Sequence, residues 1–315
     1  MGVFHLQQQE QAKAQAVFAT HGLPHIRTDE RLAPYTTWRI GGCADYYVAP
    51  TSVAELASAV RAASELQLPI TVIGRGSNVL VLDGGVRGLV VHMHDKFAQI
   101  LVEGSSLEAY AGRSIVSAAN IAISNGLAGL EFATGIPGSV GGAVMMNAGA
   151  HGGQIADVFE YADVLRRDGE LIRLSPADMR FAYRYSILKD DPLILVKASF
   201  QLRSGNRDEL TAQIRAWSKH RLATQPLSQP NCGSVFRNPP GMHAGHLVES
   251  AGLKGFRHGD AQISEKHANF IVNLGHASAE DVRYVIMHAQ ETIQERYGVE
   301  LETEVRVIGE PASRR

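Results

Sequence analysis

The sequence predicts an α+β protein with a glycine-rich first half and a helix–strand second half. Two observations favour this fold class: stretches of helical hydrophobic periodicity are interspersed with apolar runs of strand length, and glycines crowd between residues 126 and 153. A third is that amphipathic helices and a period-two strand follow residue 204, with no internal repeat or low-complexity segment in the sequence.

Composition excludes several classes of protein. The chain has 315 residues, of which 45% are hydrophobic and 20% charged, and its net charge is −2. The sequence has no long basic run typical of a nucleic-acid binder, no apolar segment of about 20 residues that could span a membrane, and no signal peptide. Cys43 and Cys232 lie far apart and match no metal motif. We therefore expect a cytoplasmic protein with free thiols. Independently of these observations, a monomer is the expected oligomeric state.

Local signals place the elements of the first half. A helix is predicted around Gln7 to His21, and the capping-box spacing of Ser52 and Glu55 starts a second helix that runs to about Leu66. A third covers Ser114 to Asn125, with Gly126 at its C′ position. The predicted strands are 68–73, 79–82, 88–93, 99–103 and 193–202, with a hairpin over 157–174.

The second half begins near residue 204. Asp208 to Ala223 is amphipathic, and Ser278 caps a long helix that ends at Gly298. The closing LETEVRVIG alternates at Leu301, Thr303, Val305 and Val307, which predicts a half-buried strand. The predicted organisation is an N-terminal helical segment over 1–35, a first domain over 36–203 and a second domain over 204–315.

The loop GRGSN at 74–78 follows a predicted strand. Its backbone amides could form an anion-binding nest, or the loop could be a tight turn between strands. A dinucleotide-binding fingerprint of the Rossmann type fails because residue 79 is valine and a strand follows instead of a helix. A Walker A site is excluded because GK[ST] is missing.

The second glycine-rich segment favours a ligand. Gly135, Gly138, Gly141 and Gly142 alternate with small residues, and three more glycines follow by position 153. Glycine at this density costs chain entropy, and the usual benefit is backbone that lies directly against a ligand. Two such segments predict one extended phosphate-bearing ligand, such as a dinucleotide.

Six motifs in order resemble a known family. They are TWRIGGCADYYVAP, VIGRGSNVLVLDGG, GLEFATGIPGSVGGAVMMNAGA, YRYS at 183–186, NCGSVFRNP and TEVRVIG, and together they span about Thr36 to Gly309. This order resembles the UDP-N-acetylenolpyruvoylglucosamine reductases. The resemblance implies an FAD-binding domain of the vanillyl-alcohol-oxidase (PCMH) type with two α+β subdomains, followed by an α+β substrate-binding domain.

The resemblance also implies an activity. Members of the family take a hydride from NADPH onto non-covalent FAD and reduce the enolpyruvyl ether of a UDP-sugar to UDP-N-acetylmuramate, in peptidoglycan precursor synthesis in the cytoplasm. Some members carry an extra substrate-covering loop near the YR motif. The interval from Tyr183 to Leu193 is short, so this chain resembles the form without that loop.

By resemblance, two segments hold the flavin. The implied FAD contacts are Ile73, Gly74, Arg75, Gly76, Ser77, Asn78, Val79, Thr134, Gly135, Pro137, Gly138, Ser139, Gly141, Gly142, Ala143, Asn147, Ala148 and Gly149. The stretch from Asn147 to His151 would lie along the isoalloxazine.

Three residues have catalytic roles implied by the family motifs. Hydride addition to an unsaturated carboxylate builds negative charge, which Arg184 could stabilise with its fork of donors. Glu304 would join it as a hydrogen-bond donor with a raised pKa if it is buried, because an ionised carboxylate would repel the charge. Ser234 maps to the proton donor. It has no neighbouring base in NCGSVFRNP, and an acid that protonates a carbanion needs none.

Polar residues near these motifs are candidate substrate contacts. They are Tyr183, Lys219, Arg221, Gln229, Arg237, Asn238, Lys266 and His267. For Lys219 a solvated helix end explains the residue equally well. His92 with His94, and His243 with His246, suggest metal ligands, but no carboxylate or cysteine completes a zinc set, so no metal is predicted.

Two alternatives stay open at this point. One is an FAD-dependent oxidase of the same fold acting on a sugar or alcohol. Many such enzymes tether flavin through His or Cys, and the 74–80 loop has neither. The other is a nucleotide-sugar binding module without catalysis, which replacement of Ser234 would distinguish.

Overall fold

A computed structural model describes residues 2–97 and 99–312. Eight α-helices are present in this part of the chain: α1 (Gly2–Thr20), α2 (Val53–Glu65), α3 (Ile115–Ser124), α4 (Val140–Met145), α5 (Pro176–Met179), α6 (Arg207–Thr224), α7 (Ala244–Ser250) and α8 (Ala279–Tyr297). Short 3₁₀ helices cover Ala33–Tyr35, Glu131–Gly135, Ile155–Asp157 and Ile187–Lys189.

The strands are short. They are β1 (Arg27–Arg31), β2 (Cys43–Val48), β3 (Ile70–Ile73), β4 (Val79–Val81), β5 (Val86–His92), β6 (Ile100–Glu103), β7 (Ser106–Tyr110), β8 (Leu127–Ala128), β9 (Gly149–Ala150), β10 (Gly153–Gln154), β11 (Phe159–Leu165), β12 (Leu171–Leu174), β13 (Ile194–Gln201), β14 (Arg203–Ser204), β15 (Arg257–His258), β16 (Ala261–Ile263), β17 (Ile271–Asn273) and β18 (Arg306–Ile308).

Backbone contacts divide the chain into two discontinuous units. The first contains residues up to 30, 44–74 and 87–210, and the second contains 31–43, 75–86 and the residues from 211 onward. The chain therefore leaves the first unit twice before residue 87. The sequence-based boundaries at 36 and 204 stay a prediction.

The first unit has two main sheets. One has the order β1-β2-β5-β3, in which β3 and β5 are parallel, and the other is antiparallel with the order β12-β11-β13-β7-β6. One hydrophobic core fills this unit. It includes Phe18 of α1, Leu56 of α2, Leu107 of β7 and Phe200 of β13, which are all fully buried.

Capping explains where the helices of the first unit begin and end. The Ser52 hydroxyl accepts from the Glu55 N–H at 3.1 Å, as the capping-box spacing predicts. Ser114 caps α3 in the same way, and Gly126 follows it with a φ of +68°, a conformation that favours glycine. These two helices, the 157–174 hairpin and the strand near 193–202 are confirmed predictions.

The second unit has its own core. Its three-stranded sheet has the order β15-β16-β17, and β4 pairs with β18 in parallel. Trp38 is fully buried in this core, and its indole N–H donates to the Ile271 carbonyl at 2.7 Å. Ser278 and Asp281 form the predicted capping box of α8, which ends at Gly298.

The predicted terminal strand is partly wrong. Only β18 is a strand, and Val307, which was placed on the buried face, is 45% exposed. The segment before it pairs irregularly with the loop after Ser234, so its alternation does not reflect a continuous ladder. The sequence also gave no prediction of β7, α4, α7 or the β15–β17 sheet. Among the described residues, none of the helices is both long and apolar enough to cross a bilayer.

Candidate active site

The end of β3 brings the two glycine-rich segments of the first unit into contact. Gly74 follows the strand, and a Cβ atom at this position would collide with the Ser139 hydroxyl. Ser139 is buried and caps α4, since its Oγ accepts from the Gly142 N–H at 3.2 Å. Any side chain at position 74 would therefore force the two segments apart.

The rest of the GRGSN loop lies in the second unit and turns tightly. The Gly76 carbonyl accepts from the Thr37 N–H at 3.1 Å, and a Cβ at Gly76 would collide with the Tyr35 carbonyl. The N–H groups of Gly76 and Ser77 have no acceptor within the described part of the chain. A turn with unused donors is compatible with both interpretations of this loop, a tight turn and an anion-binding nest.

The 138–142 segment of the first unit pairs with the backbone around Arg113. The Val140 N–H donates to the Arg113 carbonyl at 2.7 Å, and the Ile115 N–H donates to the Gly138 carbonyl at 3.1 Å. The Arg113 Nε is buried without a partner among the described residues. A buried donor that lacks an acceptor costs free energy, which an anionic ligand could recover.

Asn147 links the glycine-rich segment to the turn that carries Arg184. It is 2% exposed, and its Nδ2 donates to the Ala182 carbonyl at 3.0 Å and to Gln154 at 3.1 Å. Its Oδ1 accepts from the Ala156 N–H at 2.9 Å. The amide of Asn147 therefore supports the backbone on both sides, a role that its assignment as a flavin contact did not include.

The turn at 182–185 presents Tyr183 and Arg184 at its tip. Ala182 and Tyr185 exchange two backbone hydrogen bonds of 3.1 Å. Arg184 has a φ of +57°, where a residue with a side chain is strained, and its guanidinium lies 4.9 Å from the centre of the Tyr183 ring. Between Ser186 and β13 there is one 3₁₀ helix, so this interval has no room for an extra substrate-covering loop.

The serine loop, residues 231–238, is clamped from two sides in the second unit. Asn269 is buried, and its side chain accepts from the Phe236 N–H at 2.8 Å and donates to the Phe236 carbonyl at 2.9 Å. On the other side the Glu304 N–H donates to the Val235 carbonyl at 2.7 Å. This pairing places Glu304 next in space to the residue that follows Ser234.

Glu304 also borders the GRGSN loop. Its carbonyl accepts from Asn78 Nδ2 at 3.1 Å, and the Arg306 N–H donates to the Asn78 carbonyl at 3.1 Å. Burial, followed by the charge of Glu304, raises the pKa of the Cys232 thiol well above its usual range. Cys232 is therefore a protonated core residue, whereas Ser234 has no hydrogen-bond partner for its Oγ in the described residues.

Comparison with known proteins identifies the family. The model of the UDP-N-acetylenolpyruvoylglucosamine reductase C-terminal domain matches residues 225–308, and an FAD binding domain model matches 44–175. A reductase of this name from Rubrobacter xylanophilus is 47% identical over 289 residues, which are 91% of this chain and 97% of that protein. The chain belongs to the UDP-N-acetylenolpyruvoylglucosamine reductase family.

Further relatives agree with this assignment. The reductase 2 of Symbiobacterium thermophilum is 48% identical over 284 residues, which cover 90% of this chain and 92% of that protein. The crystal structure of the Thermus caldophilus reductase (MurB) is similar with a TM-score of 0.78 and 36% identity, over 90% of this chain and 98% of that one. The predicted fold class, with a PCMH-type FAD domain and a C-terminal α+β domain, is confirmed.

The predicted substrate residues of this family member have different environments. Arg237 donates to Glu302 at 3.0 Å, but its Nε is buried without a partner in the described structure. The Lys266 ammonium group donates to the Leu222 carbonyl at the end of α6, at 2.6 Å. Arg221 is half-buried, with its Nε on Gln225 at 2.7 Å, and burial lowers its pKa.

The surroundings of the other predicted substrate contacts give weaker support for ligand binding. Lys219 and Gln229 are exposed, and Asn238 accepts from the Ala244 N–H at the start of α7. Burial and then Lys254 lower the pKa of His267, so its ring is neutral near pH 7. Among the predicted substrate contacts, Arg237 has a buried donor, its Nε, without a partner in the described residues.

The histidine pairs do not assemble a metal site in the described structure. No group of three His, Cys, Asp or Glu side chains with metal-binding geometry occurs in residues 2–97 and 99–312. His243 precedes α7, while the His92 Nδ1 lies 2.6 Å from the Tyr47 hydroxyl.

Sequence reasoning missed Asn269 and Asp83 as supports of the site, and it predicted Asn147 only as a flavin contact. Asn269 and Asn147 hold the backbone of the two reactive segments, and Asp83 accepts from the N–H groups of Ala279 and Glu280 at the start of α8. The only available signal was their type, since asparagines within apolar stretches such as NFIVN are buried only when their amides are satisfied.

Proposed function

We propose that this chain is an NADPH-dependent, FAD-containing UDP-N-acetylmuramate dehydrogenase, which reduces UDP-N-acetylenolpyruvoylglucosamine to UDP-N-acetylmuramate. The observation that carries the proposal is the pairing of residues 302–304 with the loop after Ser234, in a chain of this reductase family. That pairing brings the backbone of Glu304 to Val235, the residue after the proposed acid, and the Glu304 carbonyl also accepts from Asn78 of the GRGSN loop.

The residues present suit FAD. The free N–H groups of Gly76 and Ser77 in the second unit are suited to its diphosphate. In the first unit, the buried Nε of Arg113 is a donor without a partner in the described residues. When bound, FAD would supply the redox chemistry that links NADPH to the enolpyruvyl group of the substrate. The close packing of Gly74 on Ser139 supports the assignment of both segments, from Ile73 to Val79 and from Thr134 to Gly149, to the cofactor.

Arg184 would stabilise the charge that develops on the substrate. A guanidinium matches a carboxylate in fork geometry and keeps its charge at any working pH. The strained φ of +57° is consistent with a residue whose position is set by function, because glycine would meet the backbone requirement at lower cost.

Ser234 would deliver the proton to the α-carbon. Its Oγ has no acceptor within the described residues, so the hydroxyl proton is available to the substrate. Clamping by Asn269 and by the 302–304 segment fixes the backbone on the C-terminal side of the serine. A fixed donor loses little entropy when it reaches the transition state.

Glu304 would act beside the developing charge as a protonated carboxyl group that donates a hydrogen bond. An ionised carboxylate at this place would oppose the chemistry. The partly buried position of Glu304 and the bond from its N–H to the Val235 carbonyl support its placement beside the serine loop.

The UDP part of the substrate would bind the polar residues near α6 and the serine loop. The partnerless Nε of Arg237 is a candidate diphosphate contact, and Arg221 and Lys266 lie at the same end of α6. We place the enzyme in the cytoplasm as a monomer, where nucleotide sugars and NADPH are available for cell-wall precursor synthesis.

One experiment tests the function. The purified protein should be yellow, lose its visible flavin absorbance on anaerobic addition of NADPH, and regain it on addition of UDP-N-acetylenolpyruvoylglucosamine. Consumption of oxygen with sugars or alcohols, with no effect of the enolpyruvyl substrate, would favour an oxidase instead. A colourless protein that takes up no FAD would refute the proposal.

A further inference from the structure

Asn231, the first residue of the serine loop, binds backbone groups on both sides of itself. Its Oδ1 accepts from the Gly233 N–H at 2.9 Å, which is the bond of an Asx turn. Its Nδ2 donates to the Gln229 carbonyl at 2.8 Å and to the Pro226 carbonyl at 3.2 Å. One half-buried amide therefore joins the serine loop to the segment that follows α6.

The backbone that carries this amide is held by a buried strand. Asn231 forms an isolated antiparallel bridge with Val272 of β17, which is buried. Beside the bridge, the Asn273 N–H donates to the Pro230 carbonyl at 2.9 Å. Cys232, the next residue, is buried in the core of the second unit. The side chain of Asn231 therefore acts on the loop from a fixed base.

Ser234 lies between two residues whose N–H groups are both held. On its N-terminal side, the Gly233 N–H is bound by Asn231. On its C-terminal side, the Val235 N–H donates to the Asn269 carbonyl at 2.9 Å. Gly233 has a φ of +81°, which is one of many conformations open to a glycine, so the bond from Asn231 helps to select it.

We propose that Asn231 is a positioning residue for the proton transfer: through the Gly233 N–H it fixes the backbone from which Ser234 reaches the substrate. This inference rests on the proposed function, in which Ser234 supplies the proton. The contacts with Asn269 and with residues 302–304 hold only the C-terminal side of the serine. Asn231 supplies the constraint on the other side.

The short side chain of serine gives this constraint its weight. A hydroxyl on a single carbon cannot compensate for a shift of its own backbone, and misplacement of a reacting group by about 1 Å can cost about 100-fold in rate. The other end of the amide resists such a shift, because the Pro226 carbonyl accepts from Asn231 and also from the Gln229 N–H at 3.3 Å. Loss of the amide would release both the turn at 226–229 and the serine loop.

The test follows reoxidation of the flavin in the holoenzyme. The protein is reduced anaerobically with NADPH, mixed with UDP-N-acetylenolpyruvoylglucosamine and observed by stopped-flow absorbance. We expect Asn231→Ala to slow reoxidation about 10- to 100-fold at saturating substrate, because the serine is no longer held in place. Reduction by NADPH should keep its wild-type rate, because that half-reaction uses no proton from Ser234.

A double-mutant cycle shows whether Asn231 acts through the serine. In the Ser234→Ala background the proton donor is already absent, so the addition of Asn231→Ala should change the reoxidation rate by less than about 2-fold. A purely structural role would slow reoxidation by the same factor in both backgrounds. Equal slowing in the two backgrounds would therefore overturn the proposal.

Asn231→Ser is the conservative variant. Its hydroxyl can accept from the Gly233 N–H, as serine does in turns of this kind, although more weakly than asparagine. We expect faster reoxidation than in Asn231→Ala, and equal rates would overturn the proposal.

Asn206→Ala is the matched control, because the Asn206 Oδ1 accepts from the Asp208 N–H at 3.0 Å, the same bond two residues along, at the start of α6. Reoxidation in Asn206→Ala should have the wild-type rate, and a loss as large as that in Asn231→Ala would overturn the proposal.

Gly233→Ala keeps the proposal testable if Asn231→Ala does not fold, which thermal unfolding reports. A Cβ atom at Gly233 would meet no atom within 4 Å, but a residue with a side chain disfavours a φ of +81°. Gly233→Ala should therefore also slow reoxidation, and the slowing should again disappear in the Ser234→Ala background. Reoxidation at the wild-type rate in Gly233→Ala would count against the proposal.

The outcomes separate this inference from the proposed function. If the substrate reoxidises the wild-type enzyme and the Asn231→Ala variant equally fast, the inference alone is overturned. If the reduced flavin of the wild-type enzyme does not respond to UDP-N-acetylenolpyruvoylglucosamine, the proposed function is overturned and the inference with it.

Discussion

The turn that carries Arg184 and the loop that carries Ser234 present their side chains by opposite means. Arg184 sits at the tip of a two-residue turn with a strained φ of +57°, and the support comes from Asn147 beneath it. Ser234 precedes a segment clamped by Asn269 on one side and by residues 302–304 on the other. The position of the Arg184 side chain depends on the strained backbone of that residue. The position of Ser234 depends on the residues that clamp the segment after it.

This difference suggests what each region tolerates. A long, permanently charged side chain can reach its target from a turn whose backbone moves slightly. A hydroxyl has a short reach and must be positioned by its own backbone, within the distance that proton transfer allows. We therefore expect that substitution of a supporting residue lowers activity more at Ser234 than at Arg184.

The largest effect is expected for Ser234→Ala. Reoxidation of the reduced flavin by the enolpyruvyl substrate should slow by about 10³-fold, because the proton donor is lost. Reduction by NADPH should stay near the wild-type rate, and both half-reactions can be followed by stopped-flow absorbance. Ser228→Ala, an exposed serine in the preceding segment, is the control. Unchanged turnover in Ser234→Ala would show that the serine is not the acid.

Arg184→Gly should separate charge from strain. Turnover is expected to fall about 10²-fold or more with the loss of the stabilising charge. The free energy of unfolding should change by no more than about 1 kcal/mol, because relief of the strained φ offsets the greater chain entropy of glycine.

Arg184→Lys is the paired variant. It keeps the charge without the fork of donors and should retain more activity than Arg184→Gly. Steady-state kinetics and denaturant melts check both variants. A large loss of stability in Arg184→Gly would mean that the side chain holds the turn together.

Removal of the supporting amides should have the next largest effect. Asn269→Ala leaves the N–H and carbonyl of Phe236 unsatisfied in the core, which is expected to cost about 2–4 kcal/mol of unfolding free energy. Asn147→Ala should cost a similar amount. If Ser234 depends on its supporting residues more than Arg184 does, Asn269→Ala slows reoxidation of the flavin by substrate more than Asn147→Ala does. Both variants are assayed well below their melting temperatures.

Acid titration should give the smallest effect. The pKa of His92 is lowered to about 4, so the unfolded chain binds more protons than the folded chain between pH 6.5 and 4. The free energy of unfolding should therefore fall through this window as pH decreases, by at most about 3 kcal/mol from this residue.

A pair of variants assigns that pH dependence to the two units. His92→Gln and His267→Gln should each flatten the stability profile, because burial lowers the pKa of both histidines. Urea melts at several pH values measure the slopes. Identical slopes in wild type and His92→Gln would place the proton uptake elsewhere.

Much of the fold was predictable because its signals are local. Ser52, Ser278 and Gly298 mark helix ends through bonds to residues within one turn, and the structure confirms each. The prediction that Val307 is buried failed because burial along an alternating strand depends on the strand with which it pairs. Its neighbours in β4 lie more than 220 residues earlier, so no local pattern could show that only three residues form the ladder.

The candidate site likewise has residues that the sequence could show and residues that it could not. The serine, arginine and glycine motifs were visible because reactive residues and close backbone contacts restrict the sequence itself. Asn147 and Asn269 act through bonds to the main chain of distant residues, such as Ala182 and Phe236. A side chain that binds a backbone group leaves no trace in the sequence of its partner.

The parallel pairing of β18 with β4 has a consequence for biosynthesis. Residues 79–81 leave the ribosome more than 220 residues before their strand partner at 306–308. The indole N–H of Trp38 likewise has its acceptor only after Ile271 has been synthesised. The second unit therefore closes only after residue 308 has been translated, and contacts of such long sequence separation favour slow folding. Until then its early segments are exposed to chaperones and proteases.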